Sequence, residues 1–154
     1  MKHPERVEDY LAHITEAVER ATSYVKPLPD IEAFRQNPLV QDGVVRNIEI
    51  IGEAATQISR MAPEFIAQHP ELPWSEMRRM RNIVVHAYFA VNLNILRQTV
   101  HEDLPVLKQQ IDELLKQGRA NINLAERFGR NAARNLDVQP EKDAERDHNL
   151  EHEL

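Results

Sequence analysis

Arg78-Arg79-Met80-Arg81-Asn82-Ile83-Val84-Val85-His86-Ala87-Tyr88-Phe89 is the stretch from which the rest of this 154-residue chain is best read. At about 100° per residue, Met77, Met80, Val84, Ala87 and Val91 fall on one narrow apolar stripe, the period of a helix that buries one side. Asn82 and His86, four apart, then stand on the opposite side with Arg79, and Arg78 lies near Asn82. Arg81 and Tyr88, seven apart, share the flank of the stripe. The spacing predicts a helix from Trp74 to about Val91 that turns its apolar side into a bundle and a basic, imidazole-bearing ridge away from it.

Working outward, the same period recurs. Upstream, Val7, Leu11, Ile14, Val18, Ala21 and Val25 predict a helix from about Pro4 to Lys26, which Pro27 and Pro29 bring to an end. A turn capped by Asp30 follows, and Asn37-Pro38 reads as a cap with a first-turn proline. It opens a long helix carrying Leu39, Val44, Val45, Ile48, Ile51, Ala55 and Ile58, with Gly52 inside it at an expected close helix approach. After Pro63 comes a short helical stretch to about Gln68, then a loop through Pro70 and Pro73. Downstream, Asn92 is expected to cap a last helix bearing Leu93, Leu96, Val100, Leu104, Leu107, Ile111 and Leu114, kinked by Pro105.

Four major helices joined by short connections predict an all-α, antiparallel bundle of four to five helices over residues 1–117. Residues 118–136 carry four arginines against one glutamate and read as an appended basic helix. Residues 137–154 carry seven acidic side chains against two basic ones and few apolar residues, the composition of a disordered tail. Four glycines leave little from which to build a phosphate loop, and the absence of cysteine excludes disulfides, thiolate zinc sites and cysteine nucleophiles. No apolar run approaches the ~18 residues of a membrane span, so a soluble cytoplasmic protein is the expectation.

The ridge has the parts needed to cleave RNA without a metal or other cofactor. An imidazole, which ordinarily titrates near about pH 6.5, can take the proton of a 2′-hydroxyl or give one to the leaving 5′-oxygen. A guanidinium can stabilise the charge that develops on the phosphate oxygens. Arg81 and His86, however, point roughly 140° apart on an ideal helix. One chain is therefore insufficient, whereas two such helices packed across a two-fold axis would supply an arginine and a histidine each. Asn82 would orient the His86 ring or donate to a phosphate oxygen, with Arg78 and Arg79 in support. The plainer reading of the same residues is a solvated helix face whose arginines pair with Glu49, Glu53 or Glu76.

Arg81-x4-His86-x-Tyr88 resembles the Arg-x4-His-x-Tyr signature of the HEPN superfamily, specifically its HepT-like ribonuclease toxins. Arg46-Asn47-Ile48-Glu49-Ile50-Ile51-Gly52-Glu53-Ala54 resembles that family's second-helix motif, and Leu72-Pro73-Trp74, Met80-Arg81-Asn82 and Asp103-Leu104-Pro105 follow in the expected order. The resemblance covers roughly Glu5 to Leu115. It implies a homodimeric HEPN bundle with Arg81 and His86 catalytic at a cleft between protomers, acting on RNA such as tRNA or mRNA. It also implies a type VII-like toxin–antitoxin pair, whose MntA-type minimal nucleotidyltransferase antitoxin transfers AMP from ATP to the motif tyrosine, here Tyr88. AMP on that hydroxyl would set negative charge and bulk beside the phosphate site and repel RNA. The sequence departs from the family at Arg79 and Ala87, where glycines are common, and at Asn92, where aspartate is usual.

Two alternatives stand beside the nuclease. One is a non-catalytic HEPN subunit that binds RNA, a nucleotide or a nucleotidyltransferase. The other is a bundle metalloprotein using Glu145, His148 and His152, whose spacing is ligand-like but whose polar surroundings would not preorganise them. The chain's net charge is −6, and an acidic balance of −4 persists within the bundle after both extensions are set aside. RNA engagement is therefore expected to be local, through the ridge arginines doubled by a dimer, and neither DNA nor a membrane is an expected partner.

Overall fold

In the computed structural model, which describes residues 6–87, 90–118 and 129, three side-chain oxygens start three helices. Asp30 Oδ1 accepts the Ala33 N–H at 2.8 Å and opens α2 (Ile31–Arg35). Asn37 Oδ1 accepts the Val40 N–H at 3.1 Å and opens α3 (Pro38–Met61), with Pro38 where a missing N–H costs nothing. Asn92 Oδ1 accepts the Ile95 N–H at 3.2 Å and opens α6 (Leu93–Gln98). The remaining helices are α1 (Val7–Val25), α4 (Pro63–Gln68) and α5 (Trp74–His86). Among the described residues there is no strand, and no helix is long and apolar enough to cross a membrane.

The central element is α3, which packs against α1 on one side and α5 on the other. The core it organises includes Ile14, Val18 and Val25 of α1, Phe34 of α2, Val44, Ile48, Ile51 and Ile58 of α3, and Trp74, Met77 and Val84 of α5. Asn47 is the one polar residue buried among them, and both ends of its amide are satisfied. Its Nδ2–H donates to the Gly43 carbonyl at 2.7 Å, and its Oδ1 accepts from Arg20 Nε–H at 3.0 Å, tying α1 to α3. Leu39, expected among the apolar positions of α3, instead stands 82% exposed in the first turn of that helix, while its neighbour Val40 packs against the core.

One expectation from periodicity is corrected, and one from proline chemistry is refined. First, α5 stops at His86 rather than near Val91: Ala87 leaves the helix at φ −121°, ψ 38°, and its carbonyl accepts the Ala90 N–H in a turn. Val91 and Leu93 still pack against the core, so residues that return to it through a turn had mimicked one more helical turn. Second, the break expected at Pro105 takes the form of a π turn, Thr99–Asp103, directly before it, where the Leu104 N–H reaches back to the Thr99 carbonyl. A proline offers no N–H and crowds the carbonyl four residues back, and widening the preceding turn relieves both. Helix then resumes at 104 and keeps Leu104, Leu107 and Ile111 buried.

The compact unit Met1–Leu115 holds all of these elements. Residues 116–118 are helical. The rest of the basic segment and the acidic tail, with Glu145, His148 and His152, lie outside the described residues, apart from residue 129. Because α3 touches both neighbours, its cap should be felt globally: Asn37→Ala should cost about 1 kcal/mol, read as a fall in Tm of about 4 °C.

Candidate active site

The N-terminal end of α5 is anchored by Trp74, whose indole N–H donates to the His69 carbonyl at 2.8 Å while its ring meets Phe65 edge-on at 6.1 Å. With Trp74, Met77 and Val84 buried, the remaining faces of α5 follow from helical geometry. Arg79, Asn82, Ile83 and His86 are all exposed along one ridge. Ile83, 44% exposed, is an apolar residue in the middle of a polar face. Its position on the polar side keeps it out of the apolar stripe that periodicity identifies.

Arg81 lies at the edge of the α3–α5 contact, and Gly52 is the reason it can. A Cβ built on Gly52 would collide with Arg81 Cβ and come within 2.7 Å of the Met77 carbonyl oxygen and 2.8 Å of Arg81 Cγ. The close approach expected at Gly52 is thus the seat of the arginine stem. From there the guanidinium forms an ion pair with Glu53, Nε to Oε2 at 3.5 Å, and donates from Nη1 to Asn82 Oδ1 at 3.1 Å. Of the acidic partners named from the sequence, Glu53 is the one engaged, while Glu49 pairs with Arg46 at 3.2 Å.

Arg78 requires a correction. Expected beside Asn82 on the ridge, it is half-buried and donates from Nη1 to Ser59 Oγ at 3.2 Å, which directs it to α3. Arg79 and His86 are exposed and make no hydrogen bond or ion pair among the described residues. Tyr88 lies outside the described residues, and since α5 ends two residues before it, the seven-residue spacing from Arg81 no longer places it on a common flank.

The arrangement therefore joins Arg81 to Asn82 and places Asn82, Arg79 and His86 together, but leaves Arg81 and His86 on different sides of one helix. A cavity of about 470 Å³ opens elsewhere, between α3, α5 and the segment after α6, lined by Ile48, Met77, Met80, Leu104 and Leu107 with Glu71, Glu76 and Asp103. It includes none of Arg79, Arg81, Asn82 and His86. An acidic-rimmed apolar cavity is poorly suited to a polyanion, so the open ridge is the better candidate site. Among the described residues no group of acidic and histidine side chains could hold a metal ion.

Several known proteins resemble this chain. The family model described as Ribonuclease HepT-like matches residues 14–114. "Probable ribonuclease HepT" of Thermococcus cleftensis is 42% identical over 108 residues, 70% of this chain and 94% of that protein. A protein of Caldanaerobacter subterraneus subsp. tengcongensis named "Putative RNase" is 36% identical over 70% of this chain and 92% of its own length. "Gamma-glutamylcyclotransferase and putative RNase" of Methanocaldococcus jannaschii is also 36% identical, over 76% of this chain and 51% of that longer protein. No solved structure matches the chain.

Proposed function

The chain belongs to the HepT-like ribonuclease family, and on that premise we propose that it is a metal-independent endoribonuclease whose site is completed by a second copy of itself. The observation that carries this reading is the division of α5. Arg81 is seated against α3 beside Gly52, whereas His86 stands on the exposed ridge, roughly 140° away around an ideal helix. Two copies packed across a two-fold axis with their α5 helices adjacent can bring the arginine of one protomer toward the histidine of the other, with the exposed Ile83 of each near the contact.

In such a site one imidazole takes the proton of the RNA 2′-hydroxyl as its oxygen attacks phosphorus, and the bond to the 5′-oxygen breaks as that oxygen receives a proton. The symmetry-related His86 supplies that proton. Arg81, from its seat between Glu53 and Asn82, faces the negative charge that develops on the phosphate oxygens. Asn82 holds the guanidinium through its carbonyl oxygen, leaving its amide N–H groups for phosphate, and Arg79 adds positive charge to the ridge. Arg78, held by Ser59, contributes to the local potential rather than to contact.

The proposal extends to control: the protein is the toxin of a type VII-like pair, silenced when an MntA-type nucleotidyltransferase transfers AMP to Tyr88. The test is intact-mass measurement on protein produced with and without its neighbouring nucleotidyltransferase, alongside RNA cleavage in EDTA. Unmodified protein should cleave RNA in the chelator. Co-produced protein should carry added AMP that maps to Tyr88 and should no longer cleave. Binding of RNA without cleavage by the unmodified protein would favour a non-catalytic subunit, and silencing without added mass would replace AMP transfer by steric inhibition.

A further inference from the structure

Ile51-Gly52-Glu53 on α3 does three different things in three consecutive residues. Ile51 is buried in the core, Gly52 receives the stem of Arg81, and Glu53 meets the head of the same side chain. A surface ion pair ordinarily contributes little, because two long side chains must be immobilised to form it. Here most of that cost has been met in advance: Arg81 Cβ and Cγ are pressed onto the α3 backbone, and its side chain is only 34% exposed against 52% for Glu53. What remains free is the rotation of the guanidinium plane. Glu53 Oε2 stands 3.5 Å from Nε as its ion-pair partner, and Asn82 Oδ1 accepts a hydrogen bond from Nη1. The Nη2 amino group carries neither contact and is the edge left for a phosphate oxygen.

We propose that Glu53 is a positioning residue for Arg81, fixing the plane of its guanidinium so that the Nη2 edge is presented to the scissile phosphate. The proposal rests on the ribonuclease reading above. A carboxylate beside the arginine also lowers the local positive potential, so its two consequences oppose one another: Glu53 weakens the attraction of RNA while raising the fraction of bound RNA correctly met by Arg81. Binding and turnover should therefore separate when it is changed.

The experiment measures steady-state cleavage of a mixed-sequence fluorophore–quencher oligoribonucleotide by Glu53→Ala, Glu53→Gln, Arg81→Ala and the double variant Arg81→Ala/Glu53→Ala, with Tm recorded for each. Glu53→Ala should lower kcat about 10-fold with KM unchanged or reduced. Glu53→Gln, which keeps an oxygen acceptor, should recover most of the lost kcat. In the Arg81→Ala background the Glu53 substitution should have no further effect, because the group it positions is gone. Unchanged kcat in Glu53→Ala, or an equal loss in the Ala and Gln variants, overturns the positioning role while leaving the ribonuclease reading intact. Full cleavage by Arg81→Ala overturns both.

Discussion

His86→Ala is expected to reduce RNA cleavage by about 10²–10⁴-fold, the range over which a positioned acid or base contributes, while leaving the fold unchanged. The reason for expecting so clean a separation is the setting of the residue. His86 is exposed in the last turn of α5 and makes no hydrogen bond among the described residues. Truncation therefore breaks no hydrogen bond among the described residues, and alanine is the better helix former. The measurement is single-turnover cleavage of an oligoribonucleotide together with the thermal melt. Retained cleavage by pure His86→Ala protein would sink the assignment, and a fall of several degrees in Tm would show that the ring has a structural role.

Gly52→Ala is expected to damage stability and activity together. Alanine inside a helix gains up to about 1 kcal/mol over glycine, so at an open position the substitution would stabilise α3. At this position the new methyl group meets the Met77 carbonyl and the first carbons of Arg81, none of which can swing aside as the tip of a long side chain would. Overpacking of this kind costs about 1–3 kcal/mol. The net expectation is destabilisation of about 1–2 kcal/mol, as α5 is pushed away from α3. Cleavage should fall about 100-fold in the protein that remains folded, because displacing a catalytic group by about 1 Å has that scale of effect. Denaturant titration and cleavage of the folded fraction check the two parts. A gain in stability would mean that the two helices separate more easily than their contact implies.

Most of the architecture was legible before any coordinates. Asn37 and Asn92 mark helix starts because a short polar side chain followed by an apolar period has few other uses, and each caps a helix; Asp30, read as the cap of a turn, caps the short helix α2 as well. The apolar period identified the buried sides of α1, α3 and α5 because a helix returns the same face every 3.6 residues. Gly52 signalled a close approach because glycine lowers helix stability without adding a side chain, and the price is sensible only where another helix comes near.

The placement of the site residues was legible in part. His86, Asn82 and Arg79 face outward as their spacing requires. Arg78 and Arg81 do not follow from spacing, because a long side chain can reach partners well off the axis of its own Cα–Cβ bond, and Ser59 and Glu53 are 19 and 28 positions away in the chain. The early end of α5 escaped for a different reason: periodicity reports which residues return to the core, not whether they return along a helix or through a turn.

From its own residues the chain specified an all-helical bundle, the starts of its principal helices, the buried side of each, and a basic ridge bearing Arg79, Asn82 and His86. Those properties depend on the backbone period and on contacts within a few residues. Tertiary packing settled where α5 ends, how the helix widens before Pro105, and which groups hold Arg78 and Arg81. These depend on the distance between α3 and α5, which is set by a glycine on one helix and an arginine stem on the other, and no periodicity along a single segment contains that distance.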